Sequence, residues 1–135
     1  MDKDELKKYI SLKAEAEELR LQAEHLEEDM KSLKATVIDG MPRGSGVNDS
    51  IGNLIARVDK LRREYISKYD SALCRLYSIE RAIEGLENET ERRLMRKRYI
   101  QGMQWEDICG DLHYEWAQVH RIHARVLKRL GSDTK

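Results

Sequence analysis

Phenylalanine is absent from this 135-residue sequence, and proline and cysteine are scarce, which limits the classes of protein to which the chain can belong. The chain has one proline, Pro42, and few β-branched runs, which argues against a β-sheet. Aromatic residues make up 6% of the chain and charged residues 37%, so the sequence has too few large apolar side chains for a large globular core. We therefore predict an all-α protein whose long, solvated helices bury only a narrow apolar stripe.

Long apolar runs are also missing. No stretch of about 18 apolar residues is present, so we expect no membrane span. The first ten residues, MDKDELKKYI, are charged and periodic, unlike a signal peptide. The two cysteines, Cys74 and Cys109, form no disulfide framework and are expected to be reduced thiols. These features predict a cytoplasmic protein.

The sequence lacks the residue patterns of enzymes and cofactor sites. We find no nucleophile–base pairing and no carboxylate cluster with an evident pocket. The glycine-containing loop at residues 40–46 lacks the Lys-Ser/Thr ending of a phosphate-binding loop. Cys109, His113, His120 and His123 have spacings that zinc ligands use, but we expect Cys109 to face the core and His120 to face outward. We therefore expect no catalytic residue, no metal and no cofactor.

Apolar residues in the first part of the chain recur at alternating steps of three and four. This spacing is typical of a coiled-coil seam and predicts a helix over about residues 3–35. The seam positions are Tyr9, Leu12, Ala16, Leu19, Ala23, Leu26, Met30, Leu33 and Val37. A loop is predicted over about residues 38–49, because three glycines and Pro42 fall within eight residues there.

A second apolar stripe follows this loop, after the N-cap candidates Asn48, Asp49 and Ser50. Its positions are Ile51, Leu54, Val58, Leu61, Tyr65, Tyr69, Ala72, Leu76, Ile79, Ile83 and Leu86. Two stripes of similar length joined by a loop predict an antiparallel helical hairpin over residues 1–87. Pairing of each stripe with another subunit, in a homo-oligomer, would need the same seam, so both arrangements stay open.

Residues 88–131 show the pattern of a helix-turn-helix module. Asn88 or Thr90 is a candidate N-cap for a helix that reaches Gln101 and stops at Gly102. A short helix over residues 105–112, a turn at residues 113–115 and a last helix over residues 116–130 are predicted next. Residues 132–135 are predicted to form a frayed tail.

Charge is unevenly distributed although the formal net charge is zero. Residues 1–36 carry 7 basic and 10 acidic side chains, residues 37–90 carry 8 and 9, and residues 91–135 carry 10 and 6. The last predicted helix, over residues 116–130, contains no Asp or Glu. This asymmetry favours a polyanion as the binding partner, and the backbone of double-stranded DNA is the simplest candidate.

Two segments of this module resemble a known family. Residues 98–112, RYIQGMQWEDICGDL, resemble the first half of the C-terminal, promoter-reading domain of bacterial sigma factors, and residues 119–130, VHRIHARVLKRL, resemble its recognition helix. The chain also resembles ArpU-like phage and prophage regulators of late-gene transcription, which place a coiled coil and a Met-Pro-Arg-Gly-type loop, here Met41–Gly44, before such a module. The resemblance implies double-stranded DNA as a partner, with RNA polymerase as a second candidate partner.

The resemblance also implies structural roles for individual residues. Arg98 would pair with Glu106 or Asp107 of the next helix. Cys109 occupies the small-residue site at which the two helices cross, where the family usually has Ala. Glu115 stands where the family tends to have Ser as the N-cap of the recognition helix, and Gln104 replaces the usual Ser or Thr. These replacements bear on one or two phosphate contacts and not on the fold.

Helical spacing separates two faces of the helix-turn-helix. The positions predicted to face inward are Ile108, Leu112, Val119, Ile122, Val126 and Leu130. Ala124 is predicted to face outward with the candidate DNA-binding residues, which are Trp116, Ala117, Gln118, His120, Arg121, Arg125, Lys128 and Arg129. Gln118 can pair with adenine and Arg121 with guanine, because the start of a recognition helix meets base edges. The later cations suit phosphates.

These patterns predict a sequence-specific DNA-binding transcriptional regulator that inserts its last helix into the major groove. One alternative is the small subunit of a phage DNA-packaging terminase, which also joins a helix-turn-helix to helical oligomerisation elements, and a ring-shaped oligomer would favour it. The other is a coiled-coil interaction protein without DNA binding, which Glu115 keeps open because Glu is a poor N-cap and its charge opposes a phosphate.

Overall fold

The computed structural model describes residues 1–38 and 45–132, and the side chains of residues 1–35 and 50–131. Its ordered elements in these ranges are five α-helices, which confirms the predicted all-α class. They are α1 (Lys3–Ile38), α2 (Ser45–Glu84), α3 (Glu89–Tyr99), α4 (Trp105–Leu112) and α5 (Trp116–Ser132). None of the helices in the described ranges is both long and apolar enough to span a membrane.

The first two helices extend beyond their predicted ends. The first includes Ile38, and the second begins at Ser45, ahead of the predicted N-cap at residues 48–50. The structure thus assigns residues 45–49 of the loop predicted over about residues 38–49 to α2. A single glycine in a helix costs only about 1 kcal/mol relative to Ala, so Gly46 does not prevent α2 from beginning at Ser45. The Met41–Gly44 segment and Val37 of the predicted seam lie outside the described residues or side chains.

Contacts divide the chain into two compact units. One unit consists of Lys13–Tyr69, and the other combines Met1–Leu12 with the chain from Asp70 onward. The long helices α1 and α2 contribute to both units, and the three short helices belong to the second.

The Lys13–Tyr69 unit is an antiparallel pair of helices within one chain. Ala16, Ala23 and Val58 are buried along the predicted seam. Polar contacts flank this seam in antiparallel order: Lys68 Nζ lies 2.8 Å from Glu15 Oε2, the Tyr69 hydroxyl donates to Glu17 at 2.6 Å, and Arg62 pairs with Glu27. The two stripes therefore face one another within a single chain, as the hairpin prediction requires, although most of the other seam positions in this unit are only partly buried.

The second unit has one continuous core. Leu6 and Tyr9 from the start of α1 pack with Ile79 and Ile83 from the end of α2 and with the buried residues of α3, α4 and α5. The domain boundary predicted at residue 87 stays a prediction. The core of this unit contains residues from both sides of that boundary, such as Ile83 and Leu94. Three short helices bury little apolar area by themselves, so the ends of the two long helices complete their core.

Helix α3 follows the predicted capping pattern at its start. The Asn88 side chain accepts a hydrogen bond from the backbone N–H of Glu91 at 3.1 Å, which identifies Asn88 as the N-cap. The helix ends at Tyr99, two residues before the predicted end. Gly102 then adopts a φ of 72°, a left-handed conformation that favours glycine, and the chain turns toward α4.

Candidate nucleic-acid interface

Helices α4 and α5 are joined by a three-residue turn, as predicted. Gln104 is the N-cap of α4, and its side chain makes no capping hydrogen bond. His113 ends α4 in the left-handed region with a φ of 59°. The Glu115 carbonyl accepts the Val119 N–H at 3.0 Å, which is the N-cap position of α5. The three helices α3, α4 and α5 pack against one another as a small helical module, and the short turn joins the last two of them.

The predicted inward face of α5 is confirmed, and so is the predicted outward face except for His120. The positions that face the core are Val119, Ile122, Val126 and Leu130, all of which are buried, as are Ile108 and Leu112 of α4. The exposed positions are Trp116, Ala117, Gln118, Arg121, Ala124, Arg125, Lys128 and Arg129. Since α5 contains no Asp or Glu from Trp116 to Ser132, every charged side chain on its exposed face is basic.

His120 does not face outward, contrary to the prediction. Its ring lies between two indoles, with centroids 4.7 Å from Trp105 and 4.3 Å from Trp116. Its Nε2 atom is buried and has no hydrogen-bond partner in the part of the chain that the structure describes. The spacing along α5 places His120 at the border of the two faces, and contact with the Trp105 ring draws it inward. In this structure the His120 ring packs against the Trp116 ring.

His123 belongs to the buried core, which helical spacing alone did not predict. Its Nε2 lies 2.6 Å from the Tyr99 hydroxyl, and the two rings stack. Burial lowers the pKa of His123 to about 4 and raises the pKa of Tyr99 to about 12. At neutral pH the pair is therefore an uncharged hydrogen bond that joins α3 to α5.

Two of the predicted phosphate contacts have a partner inside the protein. Arg125 Nε lies 3.2 Å from Glu91 Oε1, and Arg129 Nη1 lies 2.9 Å from Glu91 Oε2. The Glu91 side chain is 2% exposed, whereas those of Arg125 and Arg129 are 57% and 47% exposed. Each guanidinium therefore has one edge toward Glu91 and another toward solvent.

The cations of α3 make mainly structural contacts. The expected pairing of Arg98 with Glu106 or Asp107 is not what the structure shows, because Arg98 Nη1 donates to the Met103 carbonyl at 2.9 Å and its guanidinium lies 4.6 Å from the Trp105 ring. Lys97 instead pairs with Asp111 at 3.0 Å. These contacts hold α3 against α4.

No metal site is present among the described residues, since no group of three or more His, Cys, Asp or Glu side chains is placed to hold an ion. Cys109 is partly buried against the core and Cys74 is exposed, both as free thiols. Comparisons of this chain with models of protein families, with curated proteins and with solved structures find no match.

Proposed function

We propose that this protein binds double-stranded DNA by placing α5 in the major groove, as a transcriptional regulator similar to the ArpU-like phage and prophage proteins. One observation carries the proposal. The exposed face of α5 presents Gln118, Arg121, Arg125 and Lys128, and the helix contains no acidic residue. It is the last helix of the small module formed by α3, α4 and α5. An exposed helix of this charge complements the phosphates that border a major groove.

The order of residues along α5 suggests a division of roles. Gln118 and Arg121 are exposed near the start of the helix, where base edges come within reach, and they suit adenine and guanine respectively. Arg125, Lys128 and Arg129 lie in the second half and suit phosphates. Glu91 partly orients the side chains of Arg125 and Arg129, because it accepts a hydrogen bond from one edge of each guanidinium. A guanidinium has five N–H donors, so donors remain on each arginine for a phosphate.

The helical hairpin has a different role in this proposal. The apolar stripes of α1 and α2 already face one another within one chain, so the hairpin forms without a second subunit. We therefore assign partner contacts, including contact with RNA polymerase, to the outer surface of the hairpin.

A pair of charge-reversal variants tests the proposal. Arg121→Glu combined with Lys128→Glu changes the charge of α5 by −4, and Arg57→Glu combined with Arg63→Glu makes the same change on exposed positions of α2. Binding of a duplex is measured by fluorescence anisotropy for both variants and for the unchanged protein. We expect the α5 variant to lose at least about tenfold in affinity, as fewer counterions are released, and the α2 variant to stay close to the unchanged protein.

Equal losses in both variants would show that net charge alone attracts DNA, and would contradict a role for α5. Light scattering on the same samples gives the oligomeric state. A ring-shaped oligomer would support the DNA-packaging alternative, and a protein that binds no duplex would support the interaction-protein alternative.

A further inference from the structure

Trp116 is a large aromatic side chain left exposed at the first residue of α5. It is 53% exposed, although the opposite side of its ring lies against His120 with a centroid separation of 4.3 Å. His120 in turn lies against Trp105, which is partly buried and packs on the core. The three rings contact one another at tilted angles, 50° between Trp116 and His120 and 48° between His120 and Trp105. The indole is therefore packed on one side, which lowers the side-chain entropy that it loses when it contacts a ligand.

The residue after Trp116 is also apolar and exposed. Ala117 presents a methyl group beside the indole, whereas the outward positions that follow, Gln118 and Arg121, are polar. The apolar atoms are thus concentrated at the end of the helix that enters a major groove and meets base edges. In the major groove the apolar group on a base edge is the C5-methyl of thymine, which Ala and aromatic side chains contact.

We infer that Trp116 and Ala117 read thymine methyl groups and thereby determine part of the sequence preference. This inference rests on the proposed DNA binding. The occupant is duplex DNA because the indole is followed along the same helix by Arg121, Arg125 and Lys128, and α5 itself contains no acidic residue. The exposed carboxylate of Glu115, just before the helix, is outnumbered by these three cations. An exposed indole without this flanking charge would fit an apolar protein surface equally well.

Replacement of thymine by deoxyuridine tests the inference, because it removes the methyl group and leaves base pairing intact. The full chain first selects preferred duplexes from a random library. Each thymine of the selected site is then replaced singly, and affinities are measured. We expect a loss of about threefold to fivefold at one or two thymines, the effect of one buried methyl group, and no change at the others.

Variants connect this loss to the two residues. Trp116→Ala should bind more weakly and become insensitive to deoxyuridine at one of these thymines, which is the coupling that a double-mutant cycle detects. Ala117→Gly should do the same at the same or the adjacent thymine. Tyr77→Ala removes a comparably exposed aromatic ring from α2 and should keep the full deoxyuridine effect. Circular dichroism checks that each variant keeps its helices.

The outcomes separate this inference from the proposed function. A protein that selects a duplex but tolerates deoxyuridine everywhere, or a Trp116→Ala variant that keeps the wild-type deoxyuridine effect, overturns the inference and leaves DNA binding by α5 intact. Failure of the unchanged protein to bind any duplex overturns the proposed function itself, and this is seen at the selection step before any deoxyuridine is used.

Discussion

Arg129 donates a hydrogen bond to the buried carboxylate of Glu91 at 2.9 Å, across 38 residues of sequence. Arg125 contacts the other oxygen of the same carboxylate, so the first turn of α3 and the second half of α5 are held together by one acid and two bases. A buried carboxylate is costly unless it is paired and hydrogen-bonded. The two arginines proposed to meet phosphates therefore also determine how α5 sits on α3.

This arrangement predicts that removing the two arginines lowers the free energy of unfolding more than removing the charge of Glu91 does. Replacing both Arg125 and Arg129 with Ala leaves the Glu91 carboxylate buried without partners, and we expect a loss of about 3–5 kcal/mol in the free energy of unfolding. Glu91→Gln leaves two half-exposed guanidinium groups that water can solvate, and we expect a loss of roughly 1–2 kcal/mol. Urea denaturation measures both. A Glu91→Gln variant that is less stable than the double arginine variant would contradict the account.

The buried Tyr99–His123 pair predicts a pH dependence. The unfolded chain protonates His123 near its ordinary pKa of about 6.5, whereas the folded protein resists protonation until about pH 4. The unfolded state thus takes up protons first as the pH falls, so the contribution of His123 to stability is complete above pH 6.5 and is lost between about 6.5 and 4. We expect a loss of about 1–2 kcal/mol between pH 7 and pH 5.

Comparison of two histidine variants isolates this effect. His123→Phe removes the titrating group, and its unfolding free energy should change less between pH 7 and pH 5 than that of the unchanged protein. His25→Gln, at an exposed position of α1, should retain the original pH dependence. If both variants show the same pH dependence as the unchanged protein, titration of His123 does not limit stability.

The shared core of the second unit predicts that the start of the chain supports the helix-turn-helix. Leu6 is fully buried with residues of α3, α4 and α5, so Leu6→Ala should lower the free energy of unfolding by about 2–5 kcal/mol. Leu21→Ala, on an exposed position of the same helix, should change it by less than about 0.5 kcal/mol. Urea denaturation measures both, and the fluorescence of Trp105 and Trp116 reports unfolding of the three short helices in the same titration. Loss of helix without a change in that fluorescence transition would mean that the module is stable without the start of α1.

The parts of the fold that depend on spacing along one helix were predictable. The seam positions and the inward face of α5 follow from steps of three and four, because such steps return a side chain to the same side of a helix. The contacts of Glu91 were not predictable, since its partners lie 34 and 38 residues away and the distance depends on how α3 and α5 pack. Leu6 lies before the predicted seam, which begins at Tyr9, and its burial was not predicted, because it depends on the residues of α3, α4 and α5 that cover it.

The candidate site likewise contains features that spacing along one helix predicts and contacts that depend on how the helices pack. Exposure of Gln118, Arg121 and Lys128 follows from their positions on α5. The orientation of His120 does not, because it depends on where α4 places the Trp105 ring. The resemblance assigned Arg98 to an acid of the next helix, whereas the structure gives it a backbone carbonyl and an aromatic ring as partners.

Single substitutions on α5 distinguish base contacts from phosphate contacts. Arg121→Ala should weaken binding to a selected site by about 1–3 kcal/mol and relax the sequence preference, because Arg121 is exposed near the start of the helix. Lys128→Ala should weaken binding to all duplexes alike and lower the salt slope by about 1. Competition titrations with selected and random duplexes measure both. An equal effect of Arg121→Ala on the two kinds of duplex would move this residue to the phosphate-binding group.

The salt dependence of duplex binding tests the central claim most directly. The affinity of the full chain for a duplex is measured between about 50 and 300 mM salt. A neutral polymer similar in size to the duplex replaces it in the control titration. If Arg125, Lys128 and Arg129 each contact a phosphate, the logarithm of the binding constant should fall linearly with the logarithm of salt concentration, with a slope of about −2.7 or steeper per protein chain. The absence of saturable binding, or an affinity that does not change with salt, would contradict DNA binding by α5.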